Sequence, residues 1–74
     1  MSKRARNARQ LASLLTGKSG TLVRVYYDHA IHRHRVIWTR GPDVAQMYNL
    51  AMRHAHAVPG LDLTRMLWDR GTSD

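Results

Sequence analysis

The chain has no cysteine, no phenylalanine and no glutamate, and only two lysines and two prolines. Without cysteine, disulfides and thiolate metal sites are excluded, although small scaffolds often rely on one or the other. Without glutamate, the five carboxylates are all aspartate, and most stand where caps and turns use them. No uninterrupted apolar run approaches the roughly 18 residues of a membrane span. No h-region of a secretory signal is present either. The first 27 residues contain no acid, as an organellar transit peptide would. Removing that segment would leave half a core, however, so a bacterial or phage cytosol is the expected setting and no membrane partner is expected.

What the chain has is positive charge. Twelve basic residues, ten of them arginine, face five acids, for a net charge of +7. Charge of that sign attracts nucleic acid, anionic lipid or an acidic protein surface. The arginine fork suits phosphate better than a lysine point charge does, although GC-rich codon usage explains an arginine bias equally well.

Seventy-four residues make one domain, and a chain this short buries only about 60% of its unfolded surface. The pattern predicts an α+β fold in the order helix, β-hairpin, helix, short helix. Ser2 caps a first helix that runs to about Thr16 with Gly17 beyond it, and Ala8, Leu11, Ala12 and Leu15 form its apolar stripe. Residues 1–6 read as a flexible basic arm, because cations in a first turn oppose the helix dipole. Gly41-Pro42-Asp43 opens a second helix, with Val44, Met47, Tyr48, Ala51 and Ala55 buried. Asp62 caps a last short helix reaching about Arg70, and residues 71–74 form a tail. Trp38, Tyr48 and Trp68 read as core or interface.

Thr21–Asp28 and Ile31–Thr39 alternate as strands. Val23, Val25, Tyr27, Val36 and Trp38 share one face; Arg24, Tyr26, Arg33 and Arg35 share the other. With Asp28–Ile31 as the reversal, Tyr27 faces His32, Val25 faces His34 and Val23 faces Val36. A slip of one residue would mix the faces. His29-Ala30 is a poor two-residue turn, and a lone hairpin is marginal in water. A homodimer that completes the sheet is therefore expected. Leu22 and Ile37, on the basic face, imply a cover from the first helix or a second subunit.

Catalytic signals are weak. Gly17-Lys18-Ser19 lacks the upstream glycine and the strand-to-helix order of a phosphate loop. His32 and His34 lie on one side of a strand and would need further ligands to hold zinc, so half-buried polar residues is the preferred reading. No enzyme, cofactor or metal is expected. The interleaving of Tyr26 with arginines points instead to nucleic acid, DNA in preference to RNA. Arg24, Arg33 and Arg35 would meet phosphates or base edges and Tyr26 would stack, while Arg4, Arg6, Arg9 and Lys18 follow the backbone. Arg40 and Arg53 are weaker candidates. The expected role is a non-catalytic regulator of a phage or mobile element. The alternative is a small inhibitor or adaptor docking its basic face on an acidic host protein.

Overall fold

A computed structural model describes residues 2–72. Met1 of the expected arm and the last two residues of the expected tail lie outside the described residues. The fold is the expected α+β domain, with a third strand in place of the last helix.

Helix α1 spans Lys3–Ser19, and its Ser2 cap accepts a hydrogen bond from the Ala5 N–H. It runs one turn past Thr16 because the left-handed stop is Gly20, at φ 76, and not Gly17. Residues 3–6, expected as an arm, form its first turn. Ala8, Leu11 and Leu15 face the core. Near its end the Thr16 hydroxyl accepts the Val23 N–H at 3.0 Å and donates to the Val23 carbonyl at 3.2 Å. This clasp stands in for a strand partner where the chain turns into the sheet. Thr16→Val keeps the shape but leaves both backbone groups of buried Val23 unpaired. We expect it to cost about 2 kcal/mol or more, against under about 1 kcal/mol for Thr16→Ser. Equal urea midpoints for the two variants would show that the clasp contributes nothing.

Strands β1 (Arg24–Asp28) and β2 (Arg33–Trp38) form an antiparallel hairpin. Asp28 Oδ1 accepts the Ala30 N–H, the Asp28 carbonyl accepts the Ile31 N–H, and His32 takes φ 54. The reversal begins at Asp28 as expected, but the left-handed His32 extends the loop to four residues. The register therefore slides by two: Val25 pairs with Val36 and Tyr27 with His34. A slide of two preserves both faces, so the assignment of residues to faces survives the wrong register.

Helix α2 (Val44–Arg53) starts from a capping box in which Asp43 and Gln46 each hold the other's backbone N–H. Asp43 is thus the cap and not a first-turn residue. Met47 and Ala51 are buried, whereas Val44 at the helix start is 41% exposed. Two 3-10 turns come next, Ala55–Ala57 and Leu63–Arg65, the second capped by Asp62. The chain then extends as β3 (Leu67–Arg70) and pairs parallel to β2. The order is β1-β2-β3 with α2 as the crossover. The chain itself thus supplies a third strand beside the hairpin.

Both helices pack on one side of the sheet, α1 against β1 and α2, and α2 against β3. Leu11, Leu15, Val36 and Met47 are fully enclosed between the layers, with Val23, Trp38, Ala51, Val58, Leu63 and Met66 around them. Trp68 packs at the rim edge-to-face with Tyr48, ring centroids 5.4 Å apart. The opposite sheet face carries no helix among the described residues, so α1 does not cover Leu22, which is 62% exposed.

Candidate nucleic-acid interface

The register arranges the open sheet face in rows across the three strands. Arg24, Ile37 and Asp69 form one row; Tyr26, Arg35 and Leu67 form the next; Asp28 and Arg33 form the third. The three hairpin arginines do share this face, but two carboxylates join them. Asp28 holds Arg35 through an ion pair of 2.8 Å between its Oδ2 and the guanidinium Nε. That hydrogen bond pulls the Asp28 carboxyl below its ordinary range and raises Arg35 above its own. Arg33 donates from Nε to the Arg65 carbonyl at 2.7 Å. Of the three, Arg24 alone makes no side-chain hydrogen bond or ion pair among the described residues. The face is therefore less basic than the alternation of β1 and β2 suggests, because β3 and the hairpin turn each bring an aspartate to it.

The concentration of unpaired positive charge lies round the corner. Strand β1 is the outer strand, and α1 runs beside it. Between them is a groove of about 720 Å³ walled by Arg4 and Arg9 from α1 and by Arg24, Tyr26 and Tyr27 from β1. Its floor is Ala8, Val23 and Val25, and no aspartate among the described residues lines it. Arg4 lies over the Tyr27 ring, 4.0 Å from its centroid, a cation–π contact that directs the arginine along the groove. Tyr26 is 44% exposed at the groove's lip.

The other two carboxylates among the described residues are engaged elsewhere. Asp43 caps α2, and Asp62 accepts from the Thr64 backbone and hydroxyl, which lowers its pKa. Among the described residues Arg35–Asp28 is the only ion pair. Three of the expected contacts, Arg4, Arg9 and Arg24, thus converge with Tyr26. Arg6 is exposed on α1 outside the groove. Lys18 sits at the far end of α1 with Arg53, Gln46 and Asn49, and Arg40 borders a separate hollow with Leu22, Ile37 and Arg24. Strand alternation places Tyr27, Val23 and Val25 on the core face, and helical spacing places Ala8 in the apolar stripe of α1, so neither pattern marks them as groove lining. The acid-free first 27 residues were the available signal, since they cover α1 and most of β1, which the fold sets side by side.

His34 packs against Tyr27 of the groove wall. Its ring meets Tyr27 edge-to-face at 5.1 Å, and its Nε2 is buried with no hydrogen-bond partner among the described residues. His32, by contrast, is exposed in the hairpin loop, so the two rings do not share the half-buried end of the core face. No three histidine or aspartate side chains converge as metal ligands among the described residues. Burial, reinforced by the Arg4 charge, pushes the His34 pKa below its ordinary value. Arg4, Tyr27, His32, Arg33, Asp62 and Arg65 are the polar and charged groups of the neighbouring elements. A depressed folded pKa means that the unfolded chain binds the proton first. Stability should therefore be full above about pH 6.5 and fall as the pH drops from there through the folded value. In thermal melts, the wild type should lose stability relative to His34→Gln only on that acid side. Parallel profiles from pH 8 to 5 would refute it.

No helix among the described residues is long and apolar enough to cross a membrane. Set against family models, curated proteins and solved structures, the chain matches none of them.

Proposed function

We propose that this chain is a non-catalytic nucleic-acid-binding module whose principal contact is the groove between α1 and β1. The observation that carries the reading is the convergence of Arg4, Arg9 and Arg24 with Tyr26 around a lining that holds no carboxylate among the described residues. Three guanidiniums with no carboxylate partner among the described residues repel one another, and bound phosphates relieve that repulsion while releasing condensed counterions. The first turn of α1 supports the same reading. Lys3, Arg4 and Arg6 stand there with no acid to complement the dipole, a local cost that an anionic ligand offsets. A regulatory role for a phage or other mobile element is the setting we attach to this activity.

A second reading has its own observation. Strand β1 has no partner on its outer side among the described residues, and a sheet edge beside three arginines suits an acidic extended peptide that adds as a strand. In that case the protein is a small inhibitor or adaptor. Salt titration of binding to random-sequence oligonucleotides, followed by fluorescence anisotropy, separates the two. Nucleic-acid binding predicts a steep linear loss of log affinity with log salt. No anisotropy change at low salt, with capture of a host protein that survives nuclease, would replace the first reading with the second.

A further inference from the structure

We propose that the groove and the adjoining open sheet face take an unpaired strand, bases inward, in preference to a duplex; this rests on the nucleic-acid reading above. A duplex stacks its bases internally and offers a convex phosphate surface, so cations alone are enough to meet it. This surface offers more than cations. The groove has an apolar floor of Ala8, Val23 and Val25, and its volume of about 720 Å³ falls within the range of clefts that enclose planar ligands.

A second hollow lies on the outer sheet face, where Leu22, Ile37 and Trp38 form its apolar part and Arg40 and Asp69 also line it. Leu22 is 62% and Tyr26 44% exposed, and each lies two positions from Arg24 along the chain. Arg24 is the one residue that borders both hollows. It therefore stands as a positive post between two apolar seats. Successive nucleotides of an unpaired strand present that alternation, a charged phosphate between two flat bases. Tyr26 supplies the stacking plane, which is sequence-tolerant because every base has a π-face. Arg4 and Arg9 hold the phosphates on the α1 side. Against a duplex the same apolar area would face phosphates, gaining nothing.

The test measures anisotropy of the full chain with a labelled oligothymidylate and with a mixed-sequence duplex of equal length, across a salt series. Two variants leave the charge untouched. Tyr26→Thr keeps strand propensity on an exposed site, and Ala5→Leu keeps helix propensity while filling the groove's wall. The single strand should bind about tenfold or more tighter than the duplex, and Tyr26→Thr should lose about tenfold of that, as removal of one stacked base does. Ala5→Leu should weaken the single strand alone, and neither variant should alter the salt slope or the melting temperature. Equal or tighter duplex binding would overturn this inference and leave the nucleic-acid reading standing. A single-strand preference that survives both variants would overturn the seating of the bases. Absence of binding to either probe at low salt would remove both.

Discussion

Replacing Arg4, Arg9 and Arg24 together by glutamine should weaken nucleic-acid binding by about a hundredfold near 0.1 M salt, and lower the log–log salt slope by about 2 to 3. Each arginine that neutralises one phosphate contributes about 0.7 to that slope on a single strand and about 0.9 on a duplex. Three contacts therefore set both the size of the effect and its disappearance toward high salt. The fold should survive. All three side chains are exposed, and two of them lie in the first half of a helix whose dipole disfavours cations. Arg4→Gln does forfeit its contact with Tyr27, which offsets part of that relief.

The control is as informative as the variant. Arg33 and Arg35 sit on the sheet face that the alternation of the strands marks as basic, yet one is held by a carbonyl and the other by Asp28. Glutamine at both should lower affinity by less than about fivefold, because Asp28 already neutralises Arg35 and Arg33 alone keeps a net charge to lose. Should the Arg33/Arg35 variant lose more than the groove variant, the interface belongs on the sheet face and the groove assignment fails.

The largest effect on stability should come from Trp38→Ala. Trp38 is 3% exposed at the end of the central strand, its indole N–H donates to the Pro42 carbonyl at 2.7 Å, and its own carbonyl accepts the Gly71 N–H at 2.8 Å. It thereby ties β2 both to the start of α2 and to the end of β3. Truncating a buried tryptophan costs about 3–5 kcal/mol. At roughly 0.05–0.15 kcal/mol per residue, a domain of this size has only about 4–11 kcal/mol in total. Each kcal/mol moves the melting midpoint of so small a domain by about 4–8 °C. The variant should therefore melt at least about 12 °C lower, or lack a cooperative transition altogether. Trp38→Phe retains most of the apolar contact but orphans the Pro42 carbonyl, so an intermediate loss is expected. A melt of Trp38→Ala within a few degrees of wild type would mean that the core is organised elsewhere.

Local chemistry was legible in the residues alone. Ser2 caps α1, the Asp43 region starts α2, and Asp62 caps the turn at Leu63–Arg65, because capping depends on a few adjacent atoms. The two faces of the hairpin were legible as well. Side chains alternate with period two, so even a register displaced by two residues puts Arg24, Tyr26 and Arg35 together.

The fate of Leu67–Arg70 was not legible. Leu63, Met66 and Leu67 have helical spacing, and only the vacant edge of β2 draws the segment out as a strand. Pairing across the sheet supplies hydrogen bonds that no local preference encodes. Charge showed the same division. The sequence alone determined that the chain is strongly basic and that its first 27 residues hold no acid. Tertiary structure decided where that charge is unopposed: Asp28 and Asp69 fall on the sheet face, while α1 settles beside β1 and leaves Arg4, Arg9 and Arg24 without an ion-pair partner among the described residues. Which charges become neighbours depends on chain reversals and helix packing between residues distant in sequence, and only the folded core sets those distances.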